Sequence, residues 1–268
     1  MSSAIVDSRV AARNDEAYAA LGAVLDPELD EPITDLGFVR SLAAEQSGRV
    51  ELHLRLPTSF CAPNFAYLMA SDAKDVLERL AWTETVVVEL DDHHDSQIIN
   101  AGLATDAGYR GTFGHEAEND LEELRATFTR KAHTAAMERC LTALLRADRD
   151  RRVEELGAVR LHDLPDDAAT AALLRRRTAL GLSTDPDALV MVDHDGNGYA
   201  AADVSMALRR ARSTRISIDG NAHFCRGLLR TRYPGSEAAQ VHRAEGAESA
   251  DTGYDPTFIP LATLGFRS

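Results

Sequence analysis

Residues Arg49–Leu80 read RVELHLRLPTSFCAPNFAYLMASDAKDVLERL, and their period changes halfway. Val50, Leu52, Leu54 and Leu56 alternate with Glu51, His53 and Arg55, the period of two of a half-buried strand. Past Pro63 the period becomes 3.6. Phe65, Leu68, Met69, Ala73, Val76, Leu77 and Leu80 form one apolar stripe of a helix. Pro63 suits the first turn of that helix, where a missing N–H costs nothing. The junction between them carries Thr58, Ser59 and Cys61.

Working outward, Phe38–Leu42 is a partner strand, with Glu45–Gly48 (EQSG) as the hairpin loop. Thr83–Leu90 (TETVVVEL) reads as a third strand. Upstream, Asn14–Leu25 reads as a short helix with Tyr18, Leu21 and Leu25 on one side and Asn14 as its cap. Pro27 ends it by disfavouring helix at Asp26. The order helix, strand, strand, helix, strand implies an α+β domain over residues 1–115.

Behind it, residues 116–268 are expected to form a helical linker and a mixed α/β extension. A long helix runs from about Glu116 to Arg149 and a second lies within Leu164–Asp187. Ala188–Asp193 (ALVMVD) and Thr214–Gly220 (TRISIDG) read as strands, and Tyr199–Ala211 as strand or helix. Asn221–Gly235 reads as a turn into a short helix. The chain after Pro234 is rich in Glu, Ala, Ser and Gly, a composition that favours partial disorder.

The 268 residues are 44% hydrophobic, enough for an ordinary core, and no apolar run approaches the ~20 residues that span a bilayer. No basic segment followed by an apolar one opens the chain, so a secretory signal is not expected. Cysteines at 61, 140 and 225 are too few and scattered for a disulfide framework, which points to a reducing cytoplasm. Residues 1–115 carry 19 acidic and 8 basic residues, which excludes a nucleic-acid-binding face there. Such charge suits a metal cation, a basic partner or plain solubility.

The front half resembles the PaaD/SufT-like iron–sulfur cluster assembly domain, long known as domain of unknown function 59. Leu25–Leu42 (LDPELDEPITDLGFVRSL) matches that family's opening signature. Arg49–Pro63 matches its strand ending in Thr, small residues, Cys and Pro, although Ala62 here separates Cys61 from Pro63. The resemblance covers about residues 14–100. It implies that Cys61 carries the function, with Asp26 beside it, through transient binding of iron or an iron–sulfur cluster.

The residues permit such chemistry. A cysteine at a helix N-terminus is expected to have its pKa lowered from about 8.5, giving the thiolate that binds iron. The alternative is a small thiol that merely packs. Thr58 and Ser59 are placed to hydrogen-bond the thiolate or to close the turn. A cluster needs about four ligands, so one cysteine must share it with a second copy in a homodimer, with other residues, or with a client.

His93 and His94 in Asp91–Asp95 (DDHHD) have metal-binding side chains, but adjacent residues of an extended chain point apart, and a solvated loop explains them better. His223 and Cys225 would share a face on a strand and diverge on a helix. Cys140 falls on a helix stripe and reads as core. Asp193–Gly198 (DHDGNG) fits the start of a calcium loop, but Val204 stands where a bidentate Glu is needed, so a tight turn is expected.

Three functions follow. The first is an assembly factor that helps mature an iron–sulfur or other metalloprotein, with residues 116–268 as a client-binding domain and no catalysis. The second is a dedicated chaperone or iron-insertion accessory protein for a multicomponent non-haem di-iron monooxygenase, because PaaD-like members accompany such oxygenases. The third is a cysteine-dependent enzyme with His53 as base.

Overall fold

The computed structural model describes residues 2–114 and 121–241. These divide into two units: residues 2–114, 121–124 and 223–241 form one, and residues 125–222 the other.

The first unit is built on a three-stranded sheet in the order β3–β4–β5, with β3 Val39–Ala44, β4 Arg49–Arg55 and β5 Thr85–Asp91. β3 and β4 pair antiparallel through the expected hairpin. Gly48 makes that hairpin tight: its φ is +88°, and a Cβ there would lie 2.7 Å from the Trp82 carbonyl oxygen. β4 and β5 run parallel with Val50 opposite Val86, Leu52 opposite Val88 and Leu54 opposite Leu90. All six are buried, so one face is continuous core. Two parallel strands need a crossover, and α3 (Pro63–Glu78) supplies it.

The opposite face of the sheet is polar. His53 lies 3.1 Å from Asp91 and 3.2 Å from Glu51, and Arg40 pairs with Asp91 at 2.8 Å. The period-two reading of β4 therefore predicts both faces correctly.

The first helix, α1, spans Ser2–Leu21, well upstream of the expected start. Asn14 is therefore no cap. Its amide bonds helix to sheet, accepting from the Ala44 N–H at 2.9 Å and donating to the Val10 carbonyl at 3.1 Å. β1 (Leu25–Asp26) and β2 (Glu31–Pro32) form a small hairpin, and α2 (Ile33–Leu36) follows directly. Past β5 come α4 (Ser96–Ala104) and α5 (Gly108–Phe113), with Tyr67, Tyr109 and Phe113 in ring contact.

The second unit is helical. α6 (Leu121–Ala147), α7 (Ala168–Ala179) and the first part of α8 (Val204–Arg232) enclose a core that includes Met137, Cys140, Leu141, Leu156, Leu173, Val190, Met191 and Leu208. The expected strands are absent among its described residues. Ala188–Asp193 makes only isolated bridges, at Leu189 and Val192, and Thr214–Gly220 lies inside α8. Ile216 and Ile218 alternate as in a strand, but the helix positions around them decide. The α+β class thus describes the chain, with its strands confined to the first unit. Asp193 accepts from the backbone N–H groups of Asp195 (3.0 Å) and Asn197 (2.8 Å), which makes DHDGNG a tight turn.

The arginine clusters are largely internal ties. Arg177, 2% exposed, donates to the carbonyls of Ser183 and Leu189. Glu138, fully buried, accepts from Arg212, Arg215 and Thr142. A buried carboxylate is tolerated because both its oxygens are bonded to cationic donors.

The C-terminal expectation falls partly on residues 242–268, outside the described residues. Residues 223–241 continue α8 to Arg232 and end in a 3₁₀ turn, Ser236–Ala239. Although expected in the extension, this segment packs with the first unit. Leu229 and Ser236 approach Gly37, and the Val241 N–H donates to the Asp35 carbonyl at 2.9 Å.

Candidate functional site

Cys61 lies just before Ala62, the cap of α3, on the turn that the change of period marks. It is half-buried, and three contacts fix its loop. The Thr58 hydroxyl donates to its sulfur at 3.8 Å and accepts the Phe60 N–H at 3.1 Å. His93, 5% exposed, sits behind it. Its Nδ1 accepts the Asp95 N–H at 3.1 Å, which leaves Nε2 to donate to the Cys61 carbonyl at 2.9 Å. The His94 N–H donates to the Ser59 carbonyl at 2.9 Å.

These bonds assign roles that sequence left open. Both ring nitrogens of His93 are engaged, so it is a post for the Cys61 loop rather than a free ligand. His94 is exposed, with its ring 5.9 Å from that of Phe60. Thr58 bonds the thiol as expected. Ser59 instead accepts from Arg232 at 3.0 Å.

Asp26 is the second expected member. It is 8% exposed, and its Oδ1 accepts the N–H groups of Glu28 and Leu29, both at 2.9 Å. Burial pushes its pKa up to about 7 against those two bonds, and Glu28 and Glu31 add to the rise. Asp30, in the same loop, holds a left-handed φ of +55°.

The thiol departs from expectation in sign. Burial raises the Cys61 pKa, and Asp26 raises it further; the Thr58 bonds and the charge of Arg232 oppose this without reversing it. The helix start was expected to lower it. Cys61 precedes the cap of α3 and so lies outside the helix, and desolvation is the largest influence on its thiol.

The segment 223–241 brings a second thiol. Cys225, Leu229 and Arg232 stand at i, i+4 and i+7, one face of α8. Arg232 donates to the Leu56 carbonyl (3.2 Å), the Ser59 hydroxyl and the Asp92 carbonyl. Tyr233 donates to the Asp92 carboxylate at 3.0 Å. Arg226 grips Glu31 with two nitrogens. Cys225 is half-buried and free, and burial drives its pKa up to about 12, with Asp26, Cys61 and Glu28 adding to the rise. His223 is exposed, diverging from Cys225 as two residues apart on a helix must.

Thus the fold brings together Cys61, Asp26, Thr58 and Cys225, while His223 and His94 are exposed. Sequence reasoning missed Arg226 and Arg232, whose arginine-rich surroundings give no local sign of what they grip. Cys140 is 2% exposed in the core of the second unit. Among the described residues no group of three or more His, Cys, Asp or Glu is arranged to hold a metal ion. The donors suit soft iron chemistry in type, but fall short of a cluster's four in number. His53 faces carboxylates at both ring nitrogens, and Asp91 raises its pKa.

Residues 14–90 match a family model described as iron–sulfur cluster assembly protein. A solved domain of unknown function, DUF59, from Bacillus anthracis is 23% identical, covering 39% of this chain and 99% of its own, with a TM-score of 0.30. No curated protein matches the chain. No helix among the described residues is long and apolar enough to cross a membrane.

Proposed function

We propose, from the match of residues 14–90 to the iron–sulfur cluster assembly family model, that Cys61 takes iron or an iron–sulfur cluster as cargo and passes it to a client metalloprotein. The observation that carries this reading is the built turn at Cys61. The sulfur is half-buried, held by Thr58 at 3.8 Å, and its carbonyl is fixed by His93 at 2.9 Å. A cation binds the thiolate, so loading releases the thiol proton to solvent. A weakly committed ligand suits a carrier, which must release what it binds. Phe60, 81% exposed beside the thiol, offers an apolar contact to a client.

The role requires no catalysis. We keep the non-catalytic reading over the cysteine enzyme because His53 is bonded to Asp91 and Glu51 rather than to Cys61. The second unit, outside the matched residues, favours service to one client class over general delivery. A multicomponent non-haem di-iron monooxygenase, or an iron–sulfur component of one, is the client class we propose.

Anaerobic reconstitution with iron and sulfide, beside Cys61→Ala, tests the cargo reading. Bound iron and sulfide in the wild type, lost in the variant, are expected, and the mass in solution shows whether two copies share the load. Equal iron in both proteins would overturn the role of Cys61. No iron in either would leave a client-binding chaperone.

A further inference from the structure

The matched family region ends at residue 90, yet the site it contains is met by a helix segment more than 130 residues later. Resting on the reading of Cys61 as the cargo site, we propose that Cys225 supplies a second thiolate, so that this chain presents a two-sulfur half-site for a soft cation. Three placements carry it. First, Arg232 shares a face of α8 with Cys225 and is bonded to Leu56 and Ser59, in the loop that leads into Cys61. Second, Arg226, next to Cys225, is bonded to Glu31, in the hairpin that carries Asp26. The two arginines therefore fix α8 against the Asp26 hairpin and the Cys61 loop, with Cys225 next to Arg226 and on the face that carries Arg232. Third, Cys225 and Cys61 are both free and half-buried, and the two thiols and Asp26 lie within electrostatic reach of one another.

The segment also accounts for the missing ligands. Two sulfurs from one chain leave the remaining positions of a cluster to a client, which is what hand-over by ligand exchange requires. Phe60 and Phe224, 81% and 65% exposed, each precede one of the two cysteines and give the client an apolar rim. Two thiolates bind a soft cation only as they lose their protons, so each cation taken up displaces two protons to solvent, and no electron moves.

Cd²⁺ is the probe, added anaerobically to the full-length reduced chain, because its sulfur-to-metal absorption counts thiolates without any client. The expected wild-type band corresponds to two thiolates. Cys225→Ser halves it and weakens Cd²⁺ binding by roughly tenfold or more, since ligand count sets affinity. Peptide-resolved alkylation of the wild type gives a second readout that needs no variant: Cd²⁺ protects both Cys61 and Cys225. If Cd²⁺ protects Cys61 alone, and Cys225→Ser keeps the full band, the half-site is refuted while the cargo reading of Cys61 stands. If neither cysteine is protected, the half-site and the metal role of Cys61 fall together.

Discussion

Replacing Asp26 with Asn tests the electrostatics of the site with a definite sign. Asp26 has its pKa pushed from 3.8 up to about 7 by burial. The folded chain therefore holds a proton that the unfolded chain has released between about pH 4 and pH 7. Folding stability contributed by this group is full below the unfolded pKa and falls as pH rises through that window, then levels off. The rise from 3.8 to about 7 predicts a loss of roughly 3 kcal/mol between pH 5 and pH 8 in the wild type, from one carboxyl. Asn keeps an oxygen for the Glu28 and Leu29 N–H groups but has no proton to lose. Urea denaturation of both proteins at pH 5 and pH 8 isolates the term, because every other titrating group cancels in the difference. The variant should gain about 3 kcal/mol on the wild type as pH rises from 5 to 8. A difference that does not change with pH would refute the burial argument, and with it the claim that Asp26 sits in a desolvated pocket beside the thiols.

Three further outcomes follow from the contacts. Thr58→Val removes the hydroxyl that bonds the Cys61 sulfur, so alkylation of Cys61 at pH 8 should slow severalfold; an unchanged rate would mean that the 3.8 Å contact does not favour the thiolate. Glu138→Gln removes the buried anion that Arg212 and Arg215 share in the second unit, leaving Arg215 with Asp219 at 2.7 Å, and should cost about 3 kcal/mol in denaturation, whereas a loss under about 0.5 kcal/mol would show that the cluster is well solvated. Gly48→Ala forces a Cβ against the Trp82 carbonyl at a φ of +88° and should lower the thermal midpoint by several degrees, about 1–3 kcal/mol; an unchanged midpoint would show that the hairpin relaxes freely.

The first unit was legible where physics is local. Alternation at Val50–Leu56 and the stripe from Phe65 to Leu77 specify a strand and a helix, because burial on one face repeats at the period of the backbone. The turn between them followed, and Cys61 with it. Helix limits were less legible: α1 extends far upstream of Asn14, whose side chain looks like a cap but reaches across to Ala44. The second unit misled more, since Ile216 and Ile218 alternate by chance within a helix of 29 residues.

By itself the sequence determined the α+β core, the exposed turn before α3 and the presence of a cysteine on it. Only the tertiary structure decided the direction in which that cysteine's pKa moves and the company it keeps. The sign of its pKa shift depends on how much water the surrounding loops remove and on Asp26, which lies 35 residues away in the chain. Cys225 comes to the site because Arg226 and Arg232 find partners far upstream, at Glu31 in β2 and Ser59 in the Cys61 loop. Periodicity reports which way a side chain faces, but not which distant segment it will meet.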